Sequence, residues 1–390
     1  MSVIKVNKIE HTGTTAGGVE VDSSGHVQVD GVQMPTAGPL SNRNLVINGG
    51  MTVWQRGTAS AAVTNAFLAD RFVTIEATDG AITHEQSTDA PDGFAYSLKL
   101  SVTTADTSLA AGQYAQLDHR IEAQNCQHLK YGSSAAETIT LSFWVKSSKT
   151  GTYCIRLGKI DSTGYAYVKE YTISSANTWE KKTITIEPDN SIKASAGAIA
   201  NDNGEGLRIT WPLAMGSTYS AATDGVWSSN LNDHATANAV NWLDGTSNNL
   251  YLTGVQLEVG EKATAFSHLS YHDELLKCKR YFVRKNAPGY QRGFNGLGMG
   301  TVYTTSTAFA YLNHDVEMRS APTIDHKTIG DFQTVSGSGS GGAITDITIS
   351  TSTEESTILN IASSAAFHTE RMFILWSNTN GAYIDLNAEL

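Results

Sequence analysis

Residues Leu250 to Phe282 read LYLTGVQLEVGEKATAFSHLSYHDELLKCKRYF, and their pattern sets the class of the whole chain. Tyr251, Thr253, Val255, Leu257 and Val259 recur at every second position with Gln256 and Glu258 between them, which predicts a half-buried strand ending at Gly260. A short helix is expected next. Ser270 and Asp273 have capping-box spacing, Tyr271, Leu275, Cys278 and Phe282 step along one helical face, and Lys277, Lys279 and Arg280 sit where the helix dipole favours cations. A helix of about three turns does not hold itself together in water, so β layers must cover its stripe. The simplest place is the joint between the domain this strand closes and the one that follows.

Working outward, the 390 residues suffice for two or three domains. Only 17% of them are charged, 35 are glycine, and Thr, Ser and Asn crowd the apolar runs, which favours short strands over helices. The expected class is mainly β: an N-terminal β-hairpin, a jelly-roll-like β-sandwich, a short connecting helix and a smaller C-terminal β-sandwich. Residues 1–43 form the first piece, because Val19-Glu-Val-Asp recurs as Val27-Gln-Val-Asp around Ser23-Ser24-Gly25 and a linker from Pro35 to Pro39 follows. So small a piece lacks a core and needs copies of itself or a larger assembly to order it. Residues 44–270 carry clean alternation, as in Ile139, Leu141, Phe143 and Val145 against Thr140, Ser142, Trp144 and Lys146. Polar insertions at 188–206 and 216–249 are candidate binding loops. Residues 271–390 open with the helix and continue as strands, with a Ser/Gly run from Val335 to Gly342 read as a flexible loop.

Several motifs together resemble a family of bacteriophage tail fibre and receptor-binding proteins. They are Gly254-Val-Gln-Leu-Glu-Val-Gly260 with the following Thr-Ala-Phe turn and Glu274-Leu-Leu-Lys-Cys-Lys-Arg-Tyr-Phe282, Asn44-Leu-Val-Ile-Asn-Gly-Gly50, Trp54-Gln-Arg-Gly57, and Ala69-Asp-Arg-Phe72. Phe143-Trp-Val-Lys-Ser-Ser148, Gly151-Thr-Tyr153, Ala176-Asn-Thr-Trp-Glu180, Met318-Arg-Ser-Ala-Pro-Thr323 and the terminal Ala388-Glu-Leu390 extend the match from about residue 44 to the end. The resemblance implies a virion tail component, made in the host cytoplasm, that attaches to host cells by non-catalytic binding. Its implied partners are its own copies in a homotrimer, other tail proteins through the N-terminus, and a host cell-surface glycan or protein. A purely structural tail or capsid decoration and a polysaccharide depolymerase are the rival roles.

A net charge of −11 without a basic run argues against nucleic acid. No stretch reaches about 18 consecutive apolar residues, and the start MSVIKVNKIE lacks a signal-peptide core, so no membrane insertion is expected. The three cysteines, Cys126, Cys154 and Cys278, are too scattered for a disulfide framework or a zinc site. No cofactor is expected. No G-x-S-x-G, H-E-x-x-H or P-loop spacing occurs, Asn295 to Gly300 is a glycine run without a helix after it, and Asp118-His119 and His84-Glu85 would face opposite sides of their strands, so an enzyme is not expected. Asn201-Asp-Asn-Gly-Glu205 concentrates oxygen ligands suited to calcium, but it is not an EF-hand loop and a plain Asx-rich turn is the favoured reading. Flat rings outside strand cores can stack on sugars, which makes Trp144, Trp227, Trp242, Tyr290, Phe294 and Trp376 the candidate ligand-binding residues; packing is the rival role for each.

Overall fold

Alternating strands separated by Gly, Asn and Ser turns condense into stacked antiparallel sheets. The structure is a computed structural model that describes residues 8–9, 18–21, 27–29, 32–33, 42–58, 65–286, 296–336, 339–364, 366–367, 372–377 and 382–390. The chain divides into two units, Met1–Ser270 and Tyr271–Leu390.

In the first unit a five-stranded sheet runs in the order Glu180–Ile186, Ile139–Ser147, Asn249–Val259, Ser97–Thr104, Ala81–Ser87. A seven-stranded sheet runs Val226–Ser228, Tyr165–Ile173, Gly151–Lys159, Glu205–Met215, Tyr114–Glu122, Phe72–Ala77, Ala66–Phe67. Leu100, Leu141, Phe143 and Leu252 of one sheet share a single core with Leu117, Ile155, Ile209 and Trp211 of the other, as in a β-sandwich. Lys8–Ile9, Val19–Val21, Val27–Val29 and Val32–Gln33 add a small four-stranded sheet in which Val19 pairs with Val29 and Val21 with Val27. The Pro35–Pro39 linker and the Ser23–Gly25 turn lie outside the described residues.

The strand Asn249–Val259 departs from the simple alternation read in the sequence. Its register against Ile139–Ser147 slips between Thr253↔Trp144 and Gln256↔Ser142, so one extra residue is inserted there. Gly254 sits in the bulge at φ +62, where a Cβ would lie 2.7 Å from the Phe94 ring and 3.0 Å from Trp144. Only glycine combines that backbone with that approach. The bulge reverses the phase of the strand: Leu250 and Leu252 join the core before it, and Val255, Leu257 and Val259 after it. Tyr251 and Thr253, expected on the same face as Val255, therefore point to the outer face with Lys146 and Trp144.

The family-like motifs are used to brace this strand. Ser97–Thr104 pairs with it only as far as Leu252, and residues 44–49 take over the vacated edge through Leu45 N–H to Leu257 O (2.9 Å) and Val255 N–H to Gly49 O (3.0 Å). A Cβ on Gly49 would stand 2.1 Å from Val255 O, so the backbone itself fills that space. Asn48 Nδ2 donates to the carbonyls of Val53 and Asp70, and Glu258 accepts from Thr264 N–H (2.9 Å) and its hydroxyl (2.7 Å), fixing the turn after the strand.

In the second unit the helix spans Tyr271–Lys279. Cys278 is buried and Leu275 half-buried, but Tyr271 is 61% exposed and Phe282 belongs to the strand Phe282–Asn286, so the expected stripe is shorter than its spacing suggested. Where two open sheets were expected to face each other, six strands close into a ring: Gly296–Val302, Thr307–Asn313, Ser356–Ser363, Gly339–Ser352, Phe332–Ser336 and Met372–Ser377. Met372–Ser377 pairs with both Gly296–Val302 and Phe332–Ser336, which leaves no free edge. A three-stranded sheet of Phe282–Asn286, Tyr383–Asn387 and Thr323–His326 completes the unit. The Ser/Gly run is strand rather than loop at its described ends, with Val335 paired to Ser340 and Ser336 to Gly339.

Candidate functional site

The phase reversal at Gly254 assembles an aromatic and ionic patch on the outer face of the five-stranded sheet. Tyr251 stands beside Lys146, whose ammonium lies 4.2 Å from the centre of the Tyr251 ring and 5.3 Å from that of Trp179. The Trp179 and Tyr251 rings meet edge to face at 6.2 Å. Asp89 locks the group together, accepting from Trp179 Nε1–H at 3.0 Å and pairing with Lys146. Lys99 bridges to Glu85 at 2.7 Å, and its ammonium lies 5.9 Å from the centre of the Tyr251 ring. Trp144 continues the same face against Phe94, which packs on Phe266 at 5.0 Å.

Both ion pairs hold at neutral pH. The Lys146 ammonium on Asp89 keeps that carboxyl below its usual range, and the Glu85 carboxylate on Lys99 raises the lysine. The two ion pairs balance each other, and exposed Lys181, paired in register with Trp144, adds a cation to the same face, so the patch offers rings among many polar partners. Such a surface suits a ligand with apolar faces and hydroxyl edges, which is the chemistry of a sugar.

The six rings singled out from the sequence are scattered. Trp144 is half-buried on this patch. Trp227 is 8% exposed, donates from Nε1 to Glu187 O at 2.9 Å, and leans on Tyr167 at 5.4 Å. Trp242, at 0% exposed, is a core residue and Trp376, at 9%, is buried in its strand, so neither presents the free ring face on which the sugar reading rested. Tyr290 and Phe294 lie outside the described residues. Trp179 and Tyr251 went unselected, and the one signal for Tyr251 was a glycine interrupting a strand.

The other candidates resolve into structural roles. In the Asn201–Glu205 turn, Asp202 Oδ1 accepts from Gly204 N–H at 2.9 Å and Glu205 is held at both oxygens by Arg208 at 2.6 and 2.7 Å, an Asx turn plus an ion pair. No group of three or more His, Cys, Asp or Glu able to hold a metal occurs among the described residues. His84 turns inward to Thr74 while Glu85 faces out to Lys99, and His119 packs on Phe72 while Asp118 accepts from Gln116 on the opposite face. The insertion at 216–249 lies down on the seven-stranded sheet, where Arg156 donates to the carbonyls of Asp233 and Leu231.

No family model matches the sequence, and no curated protein matches it. Among solved structures the chain is similar to the enzymatically active domain of tailspike protein 4 of bacteriophage CBA120, at 12% identity and a TM-score of 0.28, over 56% of this chain and 22% of that one. It is also similar to the family 11 carbohydrate-binding module from Clostridium thermocellum in complex with a β-1,3-1,4-mixed-linked tetrasaccharide (10% identity, TM-score 0.27, 54% of this chain, 99% of that one). The C-terminal family 22 carbohydrate-binding module of Clostridium thermocellum Xyn10B is a third (13% identity, TM-score 0.26, 53% and 98%). Likenesses this loose carry no argument about ligand or role.

Proposed function

We propose that this chain is a tail-fibre-type virion protein that attaches to host cells by binding a surface glycan without cleaving it, through the outer face of its five-stranded sheet. The aromatic patch of Trp179, Tyr251 and Trp144, braced by Lys146 and Asp89, is the observation that carries the binding part. The viral part rests on the sequence resemblance from about residue 44 onward. In this reading the N-terminal segment joins other tail proteins and helps hold three copies in parallel; Ile9, Val19 and Val21 are 63%, 40% and 41% exposed on its small sheet and lack a core of their own.

Non-catalytic action is favoured because a glycosidase acid needs a raised pKa, whereas Asp89 is held low by Lys146 and Glu85 is already paired with Lys99. The test follows fluorescent protein on host cells for hours while the released polysaccharide is sized. Retention without shortening is expected, and alanine at both Trp179 and Tyr251 should abolish retention while leaving the melting curve in place. Shortened polymer would favour a depolymerase, and no retention would favour a structural role.

A further inference from the structure

The closed ring of the second unit carries apolar side chains on both of its faces. Ala308, Ala310, Leu359, Ile361 and Leu375 belong to the core inside it, so the fold of the barrel already has its apolar filling. Outside, Met299 is 61% exposed, Tyr303 70%, Tyr311 47% and Met372 66%. Strand register joins them into one surface. Met299 stands between Tyr311 and Ile374 on the neighbouring strands, Thr301 stands between Phe309 and Met372, and the Tyr303 ring leans on Phe309 at 5.3 Å. Cross-strand neighbours lie about 5 Å apart, so these side chains form a continuous face.

Charge and area both indicate what covers it. Among the described residues of the six strands Asp346 alone is charged, in a chain whose net charge is −11. Copies of so acidic a chain repel one another wherever carboxylates meet, and a charge-free face is where they approach at least cost. At about 200 Å² for a side chain of this size, the open fractions of Met299, Tyr303, Tyr311 and Met372 leave roughly 500 Å² of largely apolar surface in water. One side of a standard interface covers about 800 Å², of which about 60% is apolar, so the face supplies the apolar share that such a contact needs.

We infer that copies of this chain pack against one another through this face of the barrel, with Met299, Tyr311 and Met372 at the centre of the contact. The inference rests on the reading of the chain as a multi-copy protein and adds to it a contact in the second unit; it does not rest on glycan binding. Because the ring has no free edge, the copies meet through side chains rather than by extending a sheet.

Oxidation of the native full chain by dilute hydrogen peroxide, read at each methionine by mass spectrometry beside light scattering of the same sample, tests it. Methionine oxidation follows exposure, so a single chain should lose Met299 and Met372 first and the fully buried Met51 and Met318 last. In the assembled protein Met299 and Met372 should instead oxidise as slowly as Met51 and Met318. Thr301→Glu puts a charge at an exposed position between Phe309 and Met372, where a partner would bury it unpaired. That variant should restore fast oxidation of both methionines while Met318, in the core of the same unit, stays protected, which shows that the barrel is still folded. A multi-copy mass with Met299 and Met372 oxidising freely in the wild type would overturn this contact alone and leave the multi-copy reading standing. A single-chain mass would overturn both, even if the two methionines were protected, since the cover would then come from within the chain. Protection that persists in Thr301→Glu would also overturn the assignment.

Discussion

At the scale of single residues, one glycine decides which side chains are available for binding. Period-two reading of residues 251–259 placed Tyr251 in the core, and it failed because Gly254 inserts a bulge whose register lies in the partner strand rather than in the local pattern. Trp144 was legible as outward-facing because its own strand is unbroken. Trp227 and Trp242 were misjudged for another reason: polar loop sequence suggested exposure, but these loops are packed down on the sheets. Gly254→Val should cost about 1–3 kcal/mol, since a β-branched residue at φ +62 is strained and its Cβ would crowd Phe94. Gly57→Ala, at φ +111 with nothing within 4 Å, should cost less; denaturant midpoints of the two variants measure the difference. Asp89 gives a pH prediction. Its folded pKa is depressed, so its contribution is complete above the ordinary aspartate value of about 3.9 and is lost as pH falls through the lower folded value. The difference in tryptophan emission between wild type and Asp89→Ala should therefore be flat from neutral pH to about 5 and collapse below about 4; a collapse near pH 6 would mean that Asp89 does not hold Trp179.

At the scale of elements, the chain announces its strands and its helix but not how the strands join. Local alternation identifies Ile139–Ser147 and Gly151–Lys159 because each presents one face to the core, yet nothing in residues 296–302 or 332–336 tells that both pair with 372–377. Barrel closure is a long-range pairing, so a second sandwich and a closed ring look alike from the sequence. The helix shows the same limit on a smaller scale. Its cationic end is where Lys277 and Lys279 placed it, but helical spacing carried the stripe on to Phe282, and the chain has turned into a strand by then. Burial now ranks its side chains. Cys278→Asp, at a position 1% exposed, should destabilise the second unit by several kcal/mol through an unpaired buried charge, whereas Leu275→Asp, at a half-buried position, should cost roughly half as much or less. Thermal melts of the two variants settle the order, and equal losses would show that the whole helix face is covered.

At the scale of the whole molecule, multiple copies and acid sensitivity determine how the proposed attachment behaves. Weak sugar contacts gain roughly 100-fold or more in apparent affinity when three linked copies engage together, so light scattering at micromolar concentration should report a mass three times that of one chain. A monomer would remove that gain and the parallel-fibre reading with it. The first unit also carries histidines that burial keeps neutral: the pKa of His84 falls from 6.5 to about 4 and that of His234 to about 3, and that of His119 lies well below the ordinary value. A histidine with a depressed folded pKa contributes fully above its unfolded value of about 6.5, and the contribution drains away as pH falls toward the folded value. For His84 alone the linkage amounts to about 3 kcal/mol, a large part of a domain's margin of stability. Asp118 acts in the opposite sense, because burial raises its pKa and its neutral form favours the folded state in acid. Burial lowers the pKa of His128 as well, and one raised carboxyl against four depressed imidazoles leaves acid destabilisation as the net direction. The melting temperature of the first unit should therefore be level from pH 8 to about 6.5 and fall steadily between about 6 and 4. His84→Gln, which cannot take up a proton, should flatten that slope whatever it does to stability at pH 8, and an unchanged slope would mean that His84 is not the group whose protonation opens the sandwich.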